Sequence, residues 1–285
     1  GANFEIQNGF VVGSVKSQLI GNKIKLPFPS VGATENILMA SVLAKGETKI
    51  SNAAREPEIE DLSKCLIKMG AKIEGHGTKT ILVQGVTNLK KAEHEIIADR
   101  IVAGTYIIAA LMLNSALEIN NFNTIYLKSL IDILKKMGAK LKVSKNSIKV
   151  FKGSKLKSSS LSTSPYPGFP TDLQAQLMSL MCISDGKSKI KETIFENRFM
   201  HVPELNRLGA NITVEKDTAT IIGNQTFKGA QVMASDLRAS ISLVLAAMNA
   251  NGQTTLNRVY HLDRGYENIE KTLGSLGVKI KRKKN

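Results

Sequence analysis

Leu62-Ser-Lys-Cys-Leu-Ile-Lys-Met-Gly-Ala-Lys-Ile73 is the stretch on which the fold turns: an amphipathic run, then a glycine, a small residue and an alternating segment. The glycine step returns as Gly138-Ala-Lys-Leu141, Gly209-Ala-Asn-Ile212 and Gly277-Val-Lys-Ile280, and Gly1-Ala-Asn-Phe-Glu-Ile6 opens the chain with it. Successive glycines lie 69, 68, 71 and 68 residues apart, a regularity that chance does not produce. A glycine at the end of an amphipathic run is a natural helix C-cap. The chain is therefore a series of equivalent supersecondary units, each too large for a solenoid repeat.

Between the glycines the order of patterns repeats as well. Alternating segments come first, as in Leu141-Lys-Val-Ser-Lys-Asn-Ser-Ile-Lys-Val150, which reads as paired strands with a turn at Lys145-Asn146. A polar start then leads into a nearly all-apolar run, at Ala33–Ala44, Ile101–Leu113, Leu173–Ile183 and Ala239–Ala250. Helices apolar all round are buried ones, so four buried helices are expected. A strand such as Glu47–Ser51 or Thr254–Asn257 follows. The amphipathic helices Ile59–Met69, Ile125–Met137, Val202–Leu208 and Tyr266–Leu276 then run into the next glycine. The pattern implies an α/β or α+β fold with mixed sheets outside buried helices.

The 285 residues suffice for two domains, and 42% apolar content is ordinary for a globular chain. No apolar run reaches membrane-spanning length and the first residues carry no signal pattern, so the reading is a cytoplasmic protein without a membrane role. Cys65 and Cys182 sit in apolar helical runs and read as core thiols. The net charge of +15 is spread over every segment, and its densest cluster, Lys279–Asn285, reads as a solvated tail. With few aromatics and no Trp, nucleic-acid binding has no module to rest on, whereas an anionic small substrate suits a positive surface. His76, His94, His201 and His261 lack metal-ligand spacing, and no phosphate loop or dinucleotide fingerprint is present, so neither metal nor cofactor is expected.

Equivalent positions in the units are where chemistry collects. The apolar helices start at Ser30-Val-Gly-Ala-Thr34, Asp99-Arg-Ile-Val102, Thr171-Asp-Leu-Gln174 and Ser235-Asp-Leu-Arg238. Ser, Thr and Asp suit an N-cap, so Ser30, Asp99, Asp172 and Asp236 each have a structural reading beside a functional one. Arg100 and Arg238 exceed what a cap needs, and guanidinium groups at helix N-termini favour phosphate and carboxylate ligands. Arg55, Arg198 and Arg264 occupy corresponding loops of three units, where the remaining unit has the uncharged Asn121-Phe-Asn-Thr-Ile125. Three prolines in Ser164-Pro-Tyr-Pro-Gly-Phe-Pro-Thr-Asp172 stiffen the approach to Asp172, which suits a carboxylate held for general-base work or simply a rigid turn.

Six segments carry a family resemblance: Phe28-Pro-Ser-Val-Gly-Ala-Thr-Glu-Asn36, Asn52-Ala-Ala-Arg-Glu-Pro-Glu-Ile59, Phe169-Pro-Thr-Asp-Leu-Gln-Ala-Gln176, Glu192-Thr-Ile-Phe-Glu-Asn-Arg-Phe-Met-His-Val-Pro-Glu-Leu205, Ala234-Ser-Asp-Leu-Arg-Ala-Ser240 and Tyr260-His-Leu-Asp-Arg-Gly-Tyr-Glu267. Together they resemble the UDP-N-acetylglucosamine 1-carboxyvinyltransferases, across the whole chain. The resemblance implies enolpyruvyl transfer from phosphoenolpyruvate to the sugar 3-hydroxyl of UDP-N-acetylglucosamine, the first committed step of peptidoglycan synthesis. It implies a two-domain, inside-out α/β barrel of βαβαββ units, with residues 1–97 in the first domain and 98–285 in the second. By the same resemblance Asp172 handles the hydroxyl proton, and Phe28, Pro29, Ser30, Val31, Gly32 and Ile194 contact the UDP-sugar. Arg198, Asp236, Arg238 and Arg264 would hold phosphoenolpyruvate, with Arg100, Glu56 and Glu58 near the cleft.

The family's N-terminal Lys-Asn pair and its cysteine-bearing loop have no counterpart here, and neither Cys65 nor Cys182 occupies such a loop. The chain is therefore expected to be incomplete at its N-terminus and inactive alone, with residues 1–97 less protected than the rest. A UDP-sugar-binding module without catalysis is the alternative. The oligomeric state is not legible.

Overall fold

The computed structural model describes residues 1–283. The chain divides into two compact units, Gly1–Ile97 and a second that begins at Ala98.

The first unit opens with a hairpin of β1 (Ala2–Gln7) and β2 (Phe10–Val15), paired from Ala2↔Val15 to Gln7↔Phe10. Its two-residue turn is Asn8-Gly9, both at positive φ (50° and 81°), the backbone that matches strand twist and that Asn-Gly adopts readily. Both faces of the hairpin are open: Ile6 on one face is 80% and Phe10 on the other 73% exposed. One full repeat follows: β3 (Lys23–Lys25), α1 (Val31–Ser41), β4 (Glu47–Ser51), α2 (Pro57–Lys68), β5 (Lys72–Glu74) and β6 (Thr80–Gln84). Its sheet runs β3-β4-β6-β5, with β3 parallel to β4 and the other pairs antiparallel.

The second unit continues the cycle. It begins with α3 (Arg100–Met112), β7 (Leu117–Asn120), a 3-10 turn at Thr124–Leu127, α4 (Lys128–Lys136), β8 (Leu141–Val143) and β9 (Ser147–Val150), the strands ordered β7-β9-β8. Next come β10 (Leu161–Ser162), a 3-10 turn at Thr171–Leu173, α5 (Gln174–Ile183), β11 (Lys187–Lys191), α6 (Val202–Arg207), β12 (Asn211–Glu215) and β13 (Thr218–Ile222). Their order, β10-β11-β13-β12 with one parallel pair, repeats the topology of the first unit's sheet. The chain closes with β14 (Gln231–Met233), α7 (Leu237–Met248), β15 (Thr255–Asn257) parallel to β14, a 3-10 turn at Val259–Arg264 and α8 (Ile269–Ser275).

The repeated glycine has one local cause. Gly70, Gly138, Gly209 and Gly277 all have φ between 92° and 103°, one residue past a helix C-cap. Each glycine N–H bonds three residues back (to Ile67, Lys135, Asn206 and Gly274), and the next N–H bonds five back, to Leu66, Leu134, Leu205 and Leu273. This double bond pattern is the Schellman motif, and its apolar contact explains the Ala or Val after each glycine and the buried Leu before it.

In the second unit α3, α5 and α7 pack side by side as a buried helical core with the sheets outside, an inside-out arrangement. Every α5 residue from Gln174 to Cys182 is buried, because neighbouring repeats cover it on all sides. The expectation of four buried helices fails at α1. Only Thr34, Leu38 and Ser41 of that helix are buried, while Met39 is 47% exposed. Within its unit α1 packs on one sheet and on α2 alone, so its apolar circumference has no second helix layer. Two amphipathic runs also begin differently from their periodicity: Thr124–Leu127 is 3-10, and the last helix starts at Ile269, leaving Tyr266 outside it. The basic tail is more than solvated, since Arg282 forks onto Asp263 at 2.6 and 2.9 Å; its last two residues lie outside the described ones. No helix among the described residues is long and apolar enough to cross a membrane.

Candidate active site

Three of the four equivalent helix starts are capped by their own side chains, and the fourth is not. Ser30 Oγ accepts from Ala33 N–H, Asp99 Oδ1 from Ile101 and Val102 N–H, and Asp236 Oδ1 from Arg238 and Ala239 N–H. At the remaining start the Thr171–Leu173 turn intervenes, Pro170 precedes it and no side chain caps α5. The capping reading of Asp172 is therefore wrong. Its carboxylate is free of backbone duty because the 3-10 turn carries it off the helix start.

What Asp172 meets instead comes from far along the chain. Arg198 Nη2 donates to Asp172 Oδ1 at 2.6 Å, and Arg238 Nε lies 3.1 Å from the same oxygen. Burial pushes the Asp172 carboxyl up, but the charges and hydrogen bonds of Arg238 and then Arg198 outweigh it and hold the carboxyl below the usual range. Both contacts fall on Oδ1, and the side chain is 42% exposed, so Oδ2 is the oxygen available to a proton from outside. The arginines themselves are mostly covered, at 12% and 18% exposure. Arg198 also stacks over Phe195 at 5.0 Å from the ring centroid, and its Nε is buried without a hydrogen-bond partner.

The loop that carries Arg198 has no regular structure, so its rigidity needs another source. Glu192, buried at the end of β11, supplies it. Glu192 Oε1 accepts from Thr163 Oγ1 and from the Ile194 and Phe195 N–H groups at 2.8, 2.9 and 3.1 Å, and Oε2 accepts from Thr171 Oγ1 at 2.9 Å. One carboxylate thus ties the Arg198 loop to the residue before Asp172. At the loop's other end His201 is fully buried against the Arg198 backbone and near Asp236; desolvation lowers its pKa to about 4, so it is neutral there. The segment before Asp172 contains a cis Tyr166-Pro167 bond, and Arg100 Cζ lies 5.7 Å from the Tyr166 ring.

The structure thus brings Asp172, Arg198 and Arg238 into contact and places Asp236 beside them as the cap that orients the first turn of α7. Asp99, the α3 cap, adds its charge near Arg238. Arg100 is buried at the start of α3. Arg264 ends its 3-10 turn exposed. Ile194 is half-buried, with its N–H given to Glu192.

In the first unit Phe28, Pro29, Ser30, Val31 and Gly32 form the entry to α1, with Phe28 exposed. Ser30 takes the third N–H of that helix, and no described bond takes those of Val31 and Gly32. Glu56 is the N-cap residue of α2 and accepts from Arg55 N–H at 3.0 Å, and Glu58 lies in that helix's first turn. Burial, then Glu58 and Glu56, raise the Glu35 pKa, so these carboxylates form one acidic group.

Sequence reasoning passed over Glu192 and the buried polar residues Thr105, Gln176 and Tyr266. A glutamate closing an alternating strand gives no signal of its own; only its place in Glu192-Thr-Ile-Phe-Glu-Asn-Arg198 hints at it. Among the described residues no group of three or more His, Cys, Asp or Glu side chains could hold a metal ion. Cys182 is buried and its thiol is pushed up to about 12, which leaves it inert.

The chain is similar to known proteins along nearly its whole length. Residues 1–273 match the family model of EPSP synthase (3-phosphoshikimate 1-carboxyvinyltransferase). A UDP-N-acetylglucosamine 1-carboxyvinyltransferase of Pelagibacter ubique is 51% identical over 99% of this chain and 68% of its own length. A second such protein, from Mesorhizobium japonicum, is 52% identical over 99% and 68%. The chain therefore spans about two thirds of the length of these relatives. Among solved structures, the enolpyruvyl transferase NikO of Streptomyces tendae superposes with a TM-score of 0.90 at 26% identity, covering 98% of this chain and 69% of that one. An EPSP synthase of Acinetobacter baumannii, at 20% identity and a TM-score of 0.73, shares the fold.

Proposed function

The chain belongs to the enolpyruvyl transferase family, with UDP-N-acetylglucosamine 1-carboxyvinyltransferases as its curated relatives, and from that premise we propose that it serves transfer of enolpyruvate from phosphoenolpyruvate to the 3-hydroxyl of UDP-N-acetylglucosamine, a step of peptidoglycan synthesis. The observation that carries the reading is the single carboxylate oxygen of Asp172 shared by two guanidinium groups. In this reading a bond forms between the sugar oxygen and the enolpyruvyl carbon, the carbon–oxygen bond to phosphate breaks, and Asp172 Oδ2 takes the hydroxyl proton. Arg198 and Arg238 match the carboxylate and phosphate of phosphoenolpyruvate. When that anion claims them, Asp172 loses the partners that keep it weakly basic, so the substrate itself strengthens the base. Arg264 adds a further guanidinium for the anion, and Asp236 acts through the first turn of α7, which it caps and which carries Arg238. Within the first unit, the open N–H groups at the start of α1, beside Phe28–Gly32, suit a diphosphate such as that of the UDP-sugar.

Calorimetry tests the proposal. UDP-N-acetylglucosamine is expected to bind, phosphoenolpyruvate to bind after it, and Arg238→Gln to abolish only the second step. Binding of 3-phosphoshikimate in place of the UDP-sugar would move the chain to the sister reaction. Absence of any binding would remove the reading.

A further inference from the structure

Beneath Asp172 lies a buried polar bridge that substrate contact does not explain. Thr105 on α3, Gln176 on α5 and Tyr266 after Arg264 come from three successive repeats, and all are buried. Thr105 Oγ1 lies 2.8 Å from Tyr266 Oη, and Gln176 Nε2 lies 3.3 Å from Thr105 Oγ1 and 2.8 Å from the main-chain oxygen of Asp172. Thr105 spends its one hydroxyl proton on Ile101 O at 2.9 Å. It must therefore accept from Tyr266 and from Gln176. Gln176 then has one N–H for Thr105 and one for Asp172 O; a flipped amide would set oxygen against oxygen. The bridge has a single workable proton arrangement, so it is directional. Burial raises the pKa of Tyr266, which keeps it a donor, and its hydroxyl lies in the field of Arg238.

Apolar side chains of similar size would fill this space without burying four polar atoms, and a buried network of this kind specifies geometry more than it adds stability. We propose that Tyr266, Thr105 and Gln176 form a positioning bridge that holds the Asp172 main chain in register with Arg238 and with the Arg264 loop. The role rests on the reading of Asp172 as the base. The geometric claim does not, and the test separates the two.

The readout is the Asp172 carboxyl titration, followed by carbon NMR on aspartate-labelled protein and assigned with Asp172→Asn. Thr105→Val and Tyr266→Phe are expected to raise the Asp172 midpoint by about half a unit or more as the arginine contacts loosen, while Thr105→Ser, which keeps the hydroxyl, leaves it near the parent value. The double variant Thr105→Val/Tyr266→Phe is expected to shift no further than the larger single one, since both cut the same link. A midpoint equally shifted in Thr105→Val and Thr105→Ser, or additive shifts in the double variant, would overturn the proposal. So would a lowered Tm with an unmoved midpoint. If Thr105→Val does not fold, Tyr266→Phe alone decides. No substrate is needed, so failed calorimetry removes the catalytic meaning and leaves the positioning result standing.

Discussion

Arg198 and Asp172 are 26 residues apart in sequence, and in the folded chain Arg198 Nη2 lies 2.6 Å from Asp172 Oδ1. Neither residue is placed by a regular element. Asp172 sits in a 3-10 turn and Arg198 in a loop, so the pair owes its geometry to Glu192, which bonds both segments.

Asp172→Asn leaves two guanidinium groups side by side without their counter-charge. It is expected to cost about 1 kcal/mol at pH 7, a modest figure because the carboxylate is partly exposed. The carboxyl is held below its unfolded value of about 3.9, so its contribution is complete above roughly pH 5 and fades as pH falls through the folded value. Urea unfolding at pH 7 and pH 3 checks this, and an equal deficit at both would count against the pair.

His201 titrates the other way. Its folded pKa of about 4 lies below the unfolded 6.5, so as pH drops between the two the unfolded chain takes up a proton that the native one refuses. Stability is therefore expected to fall by about 3 kcal/mol from pH 6.5 to pH 4 on account of this group, and His201→Gln should remove that part of the slope. Parallel stability–pH curves for parent and variant would refute it.

Two of the Schellman glycines separate strain from collision. A Cβ on Gly70 meets nothing within 4 Å, whereas on Gly138 it meets Lys155 O at 2.8 Å, and both have φ near 100°. Gly70→Ala should cost about 1 kcal/mol for the backbone conformation alone, and Gly138→Ala about 1–2 kcal/mol more. Thermal unfolding of the two variants gives the ranking, and equal losses would mean that the contact relaxes freely.

Amide exchange should distinguish the helices that sequence alone makes alike. α1, with one face uncovered, is expected to exchange orders of magnitude faster than α3 and α5. Residues 1–97 should accordingly lose protection before the rest. Equal protection of α1 and α5 would contradict the difference in packing.

Much of this molecule was legible because its causes are local. The glycine spacing, the Leu before each glycine and the small residue after it encode a helix terminus within six residues, and that terminus recurs because each repeat ends alike. The Asn8-Gly9 turn is equally local. Residue type at the helix starts also marks Asp172 and Arg238 as candidates, and the recurrence of arginine in corresponding loops marks Arg198. Chain-local information could not say which aspartate was a cap. Asp99 and Asp236 bond backbone two and three residues on, while Asp172 is taken by arginines 26 and 66 residues away. The exposure of α1 is hidden from the sequence for the same reason, since an apolar run states what a helix can cover but not whether anything covers it. Thr105, Gln176 and Tyr266 read as unremarkable members of their runs, and only the packing of three repeats brings their few polar atoms together. Periodicity and termini thus follow from the sequence by short-range sterics and hydrogen bonding, whereas the pairing of charges and the choice of partners for buried polar groups were decided by contacts that exist only once the repeats are packed.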